Sequence, residues 1–201
     1  MQIVSVRRVA LGCLFIAATP LVRTAFAQPG PEPAIRLRFY DQAGIDPKVL
    51  EKAQQQLKRI FKRIGVNAEW EVDGEPQFRI LIVEQMSPAI VSRGVEFGRT
   101  PRDPDGTTGR MSYVAYGVIR AFVRTPEPGR PRLNEAELLA YTFAHEIGHL
   151  LLSPGSHSPT GIMRELWRES DFKLIATDRL FFTPDQEKHI KAKALLLAQQ
   201  H

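Results

Sequence analysis

The spacing of apolar positions changes repeatedly along this chain and predicts a mixture of strands and helices. Ile35-Arg36-Leu37-Arg38-Phe39-Tyr40 alternates apolar and polar, the period of a half-buried strand. Asp46-Pro47 then offers a helix cap followed by proline in the first turn. Val49, Leu50, Ala53, Leu57, Ile60, Phe61 and Ile64 fall on one face of that helix, and Gly65 stops it. The opposite, largely basic face (Lys48, Glu51, Lys52, Lys58, Lys62, Arg63) reads as solvated. Strands follow over 66–72 and 78–83, and Ile80-Leu81-Ile82-Val83 reads as buried on both sides. Strand, helix and strand at this spacing imply a right-handed crossover onto one sheet.

Residues 94–110 are rich in Gly, Pro, Asp and Arg and read as an exposed loop. Within it, Asp103-Pro104-Asp105-Gly106 lacks the ligand ladder of a calcium loop and reads as a turn. Another alternating strand lies within 111–122, and a Pro/Arg-rich connector covers 125–132. A second long helix opens at Asn134, with Glu137 in the reciprocal capping position, and runs through Leu138, Leu139, Thr142, Phe143 and Ala144 to Leu150-Leu151-Leu152. Leu174-Ile175-Ala176 and Leu180-Phe181-Phe182 lead into a last helix capped by Thr183 and Gln186, with Ile190, Ala194 and Leu197 on its buried face. No internal repeat or second-domain boundary is visible.

The 201 residues suit one domain, and a hydrophobic content of 43% excludes a disordered chain. The formal net charge of +5 is unevenly spread. Arg7 and Arg8 precede an apolar run over 9–22 broken by Pro20, and Ala25-Phe26-Ala27 follows as a small-x-small site. That is the pattern of an export signal cleaved after Ala27, and the run is shorter than the roughly 20 residues a membrane span needs. The expected organisation is a signal peptide over 1–27 and one domain over 28–201, secreted or periplasmic, with Sec and twin-arginine export both open. Cleavage removes three arginines and no acid, leaving 24 basic and 22 acidic residues, and it removes the single cysteine, Cys13. The basic excess that would have favoured nucleic acid or a membrane surface as partner is thereby largely gone. Disulfides and cysteine-held zinc are excluded as well.

The chemistry concentrates at His145-Glu146-Ile147-Gly148-His149, at the end of the second long helix. Residues four apart share a helix face, so the imidazoles of His145 and His149 can converge on one ion. Glu146, one residue past the first histidine, is placed beside such an ion, within reach of a water that the metal activates. It can take that water's proton during attack on a carbonyl and return it to the departing amine. Phe143, Ile147, Gly148 and Leu150 are uncharged, as a metal helix packed in a core requires. Three of the five histidines fall within 13 residues. A catalytic zinc keeps three protein ligands and an open position, so a third ligand is required. The candidates are His157, in Gly155-Ser156-His157-Ser158-Pro159, and Glu169, 20 residues beyond His149. His189 and His201 have no ligand-like neighbours.

With Gly161-Ile162-Met163 following His157, the chain resembles the metzincin zinc peptidases, especially their matrixin-like members, which carry HExxHxxGxxH and then a methionine turn. The resemblance implies zinc ligands at His145, His149 and His157, Glu146 as general base and Met163 as the turn methionine. The family pattern expects glycine at 152 and histidine at 155, where this chain has Leu152 and Gly155, so His157 comes two residues late and Gly155 is expected to make the reversal. Glu169 instead matches a spacing that resembles thermolysin-like gluzincins. The implied fold is α+β and zincin-like. It has a twisted mixed sheet with an antiparallel edge strand within Met111–Tyr116, packed on the long helix and the zinc-binding helix. The implied function is that of a monomeric, exported, Zn2+-dependent endopeptidase whose peptide substrate lies extended along the edge strand. Arg164 to Trp167 are expected to wall the substrate pocket, although Trp167 suits plain core equally. Two other functions remain open: a zinc-binding recognition or assembly module without proteolysis, and hydrolysis of a non-peptide amide by the same residues.

Overall fold

This computed structural model describes residues 32–200 except 72, 87–95, 103–108 and 153–154. The expected export signal, Cys13, the cleavage point after Ala27 and the Asp103–Gly106 turn lie outside the described residues. Among the described residues, no helix is long and apolar enough to cross a membrane.

The chain runs β1 (Ala34–Asp41), α1 (Pro47–Arg63), β2 (Asn67–Trp70), β3 (Phe78–Val83), β4 (Gly98–Arg99), β5 (Met111–Ala115), α2 (Tyr116–Arg124), α3 (Glu135–Leu151), α4 (Glu169–Ala176) and α5 (Pro184–Ala198). The five strands form one mixed sheet in the order β2-β1-β3-β5-β4. β1 pairs in parallel with both β2 and β3, so β1-α1-β2 is the crossover its spacing predicts. Helix starts and stops follow the sequence closely. Asp46 accepts a hydrogen bond from the Lys48 amide, Asn134 and Glu137 cap α3 reciprocally, Thr183 and Gln186 do the same for α5, and Gly65 follows α1 at φ +70°.

Alternation sorts the sheet's two faces. Ile35 and Leu37 of β1, Phe78, Ile80 and Ile82 of β3, and Ser112 and Val114 of β5 are buried on one side. They join one continuous core with Leu57, Ile60 and Phe61 of α1 and Leu139, Phe143 and Ile147 of α3. β3 differs from expectation here, since Leu81 and Val83 are only half-buried and the strand has a single core face. α3 is buried almost all round, as a helix through the centre of a domain must be.

The antiparallel edge is also elsewhere than predicted. Met111–Ala115 runs parallel to β3, with Ile80 opposite Ser112 and Ile82 opposite Val114. The antiparallel edge strand is β4, inside the segment that reads as an exposed loop, with Gly98 opposite Val114 and Arg99 opposite Tyr113. Two residues are too few to show alternation in sequence. The strand is held by what precedes it: Phe97 is buried, its ring 5.1 Å from Phe122 and 6.3 Å from Trp167. The second half of 111–122 is helix α2.

Candidate metal centre

α3 carries His145 and His149 one turn apart near its C-terminal end. The chain then reverses at Gly155, where φ is +81°, a conformation open to glycine at no steric cost. His157 returns towards the helix. Ligand atoms of His145, His149 and His157 lie within 4.8 Å of one another. Glu169 is not among them: it opens α4 and pairs with Lys173 at 2.6 Å. His189 is exposed on α5 and its Nδ1 lies 2.8 Å from the Asp185 carbonyl.

Hydrogen bonds orient two of the rings and hold both neighbours of the third. His145 Nδ1 lies 2.8 Å from the Ile162 carbonyl oxygen, which can only accept, so Nδ1 carries the proton and Nε2 presents a lone pair. Trp167 donates to the same carbonyl at 3.0 Å. His149 Nδ1 lies 3.1 Å from Ser156 Oγ, and its Nε2 faces His145 Nε2 at 3.0 Å. Gln186 of α5 braces the third histidine from both sides, donating to the Ser156 carbonyl at 3.1 Å and to Ser158 Oγ at 3.0 Å.

The segment between His157 and Met163 closes on itself, with the Ser158 amide donating to the Met163 carbonyl at 2.9 Å. Met163 is fully buried beneath α3, and a Cβ added at Gly148 would overlap its sulfur. Gly148 within the His145–His149 turn therefore has a packing reason: the methionine lies directly on helix backbone. Arg164 reaches back to the buried Asp171 of α4, its Nε 2.9 Å from Oδ2.

Electrostatics favour neutral imidazoles. Burial lowers the His145 pKa to about 4, against the opposing hydrogen bond to Ile162, and His157 adds to the lowering. Burial, followed by the charges of His145, His157 and Arg102, lowers His149 to about 3. His157 is lowered by burial, opposed by Glu165. Neutral nitrogen donors are what a Zn2+ ion binds. The set fits zinc: three imidazoles, two of them half-buried, no sulfur ligand, and two Nε2 atoms facing each other at hydrogen-bond distance.

Glu146 is buried beside this cluster on α3 and is no part of it. Its Oε2 accepts from Thr100 Oγ1 at 2.8 Å. Burial pushes its carboxyl up to about 8, partly offset by the Thr100 hydroxyl. Thr100, Ser112 and Gln186 are absent from the sequence reading of the site. One signal was present: Ser112 is a polar residue at the inward position of an alternating strand.

No protein-family model matches the chain, and no curated protein matches it in sequence. Among solved structures, it is similar to archaemetzincin from Methanopyrus kandleri, with 16% identity and a TM-score of 0.50 over 83% of this chain and 98% of that one. Myroilysin is a looser match, with 13% identity and a TM-score of 0.35 over 78% of this chain and 72% of that one. At such identity the archaemetzincin likeness is one of fold.

Proposed function

We propose that this chain is a zinc-dependent peptide-bond hydrolase of metzincin type, an exported endopeptidase acting as a monomer. The observation that carries the reading is the convergence of His145, His149 and His157 at the end of a buried helix that also holds Glu146. The likeness in fold to a protein named archaemetzincin supports it. Zn2+ bound by the three histidines supplies Lewis acidity, which polarises a carbonyl and makes water nucleophilic near neutral pH.

The protein's own groups do the rest. The Ile162 carbonyl holds His145 in the tautomer whose Nε2 is free to bind. Glu146 accepts a proton from the attacking water and passes it to the departing amine. Burial and the Thr100 hydroxyl hold that carboxyl on the helix turn that carries His145 and His149. Among the described residues β4 is the sheet's antiparallel edge, and an extended peptide can add beside Gly98 and Arg99.

The test compares bound zinc and cleavage of an unfolded protein substrate across four forms. Wild type is expected to bind one zinc and cleave. Glu146→Gln should keep the zinc and cleave more slowly by roughly 100-fold or more. His157→Ala should release the metal, and Glu169→Ala should retain both properties. A zinc-loaded wild type that cleaves nothing across a broad peptide library would overturn the hydrolase reading in favour of a recognition or assembly module.

A further inference from the structure

We propose that Thr100, backed by Ser112, is a positioning residue for Glu146, tying the general base to the edge strand β4. The inference rests on the hydrolase reading above. A glutamate side chain has several rotatable bonds, and its terminal torsion is broadly distributed. A general base must nevertheless be held to within a fraction of an ångström of its productive place. Burial alone does not do this for a carboxylate.

Three contacts converge on the Thr100 hydroxyl: Ser112 Oγ at 2.6 Å, Glu146 Oε2 at 2.8 Å and the Glu146 carbonyl at 3.2 Å. Ser112 is fully buried in β5, and a buried hydroxyl needs a partner. Besides Thr100, its hydroxyl faces the Glu146 carbonyl at a long 3.5 Å. Thr100 Oγ1 donates to Glu146 Oε2. Thr100 Oγ1 is then left to accept from Ser112. This assigns a direction to the relay: Ser112 O–H to Thr100, and Thr100 O–H to the carboxylate.

Gly98 completes the arrangement. A Cβ there would lie 2.6 Å from Glu146 Oε1, 2.7 Å from Cγ and 2.9 Å from Cδ. The glutamate therefore lies directly on the backbone of the edge strand, one oxygen over Gly98 and the other held by Thr100 two residues on. Oε2 is the oxygen that Thr100 anchors. Because both contacts come from β4 and the residue after it, a peptide that adds to this edge presses on the same segment that sets the base.

The experiment uses Thr100→Val, which keeps the shape and removes the hydroxyl, and Thr100→Ser, which keeps the hydroxyl. Thr100→Val is expected to lower kcat roughly 10- to 100-fold, as misplacement of a general base does. KM and zinc stoichiometry should be unchanged, and Thr100→Ser should restore most of the rate. A second readout needs neither activity nor metal: melting temperatures of zinc-free Thr100→Val, Glu146→Ala and the double variant. The double variant should lose less than the sum of the singles, since both remove one shared contact. Additive losses, an unimpaired kcat in Thr100→Val, or no rescue by Thr100→Ser would each overturn the positioning role while leaving the hydrolase reading intact. A zinc-loaded wild type that cleaves nothing would overturn both.

Discussion

Gly161 and Gly155 both sit in the left-handed region, at φ +80° and +81°, on either side of His157, yet they should respond differently to alanine. The conformational cost is shared: a Cβ in this region costs about 1–2 kcal/mol. Nothing among the described residues lies within 4 Å of a Cβ at Gly155, so Gly155→Ala should cost little more than that. A Cβ at Gly161 would overlap the Phe181 carbonyl oxygen, a backbone atom that cannot swing aside. The same oxygen accepts the Ile162 amide at 2.9 Å, so relieving the overlap also weakens a hydrogen bond with a net value of about 0.5–1.5 kcal/mol. Gly161→Ala should therefore cost roughly 3 kcal/mol. For a domain of this size that lowers the melting temperature by roughly 6–12 °C, against about 2–8 °C for Gly155→Ala. There is a functional consequence as well. Ile162 presents its amide to Phe181 and its carbonyl to His145, so displacing it loosens the ring. Loss of such an orienting contact typically lowers metal affinity about 10- to 100-fold. Thermal unfolding of the zinc-free variants, with zinc titration against a chelating dye, measures both effects. Equal losses of stability in the two variants would refute the claim that close approach, and not conformation alone, dictates glycine at 161.

Two further outcomes are expected away from the histidines. Asp178, at φ +56°, accepts from Tyr141 at 2.8 Å and also binds Arg63 and Gln56; burial pushes its pKa up, but the Arg63 and Tyr141 hydrogen bonds outweigh this and hold it below the usual range. Its ionised form therefore stabilises the fold above pH of about 4, and that contribution is lost as pH falls through the lowered value. Asparagine also tolerates this backbone conformation, so the stability gap between wild type and Asp178→Asn, followed by denaturant unfolding, should shrink on acidification; a gap independent of pH would contradict it. Asn134→Ala removes half of the α3 capping box and should cost about 1 kcal/mol, with bound zinc unchanged. Loss of zinc in that variant would show that the helix start and the histidines are coupled.

What could be read in advance was local. Asp46-Pro47, Asn134 with Glu137, and Thr183 with Gln186 each specify a helix start within four residues, and all three starts are where the sequence puts them. His145 and His149 were legible for the same reason, since one turn of helix sets their separation. The antiparallel strand was not. β4 has two residues, Gly98 and Arg99, whose pairing depends on Phe97 finding its place between Phe122 and Trp167, and no periodicity encodes that. Thr100 was hidden likewise, and the inward polar position of Ser112 named no partner: a loop threonine and a strand serine 12 residues apart meet only when β4 folds back along β5.

The two-residue delay of His157 shows how a departure from a spacing can be absorbed. A longer path from α3 to the third histidine leaves more backbone to be held, and a mobile loop would return the ring to the cluster only part of the time. Gln186 removes that freedom. Its amide nitrogen is bound on both sides of His157, at Ser156 and Ser158, while its oxygen accepts the Thr183 amide as the cap of α5. All of its strong donors and its acceptor are thus engaged in one rigid geometry at the start of a 15-residue helix. The residue that the sequence offers only as a helix cap therefore also holds both neighbours of the third histidine. Placement of His157 follows from where α5 begins as much as from the spacing after His149.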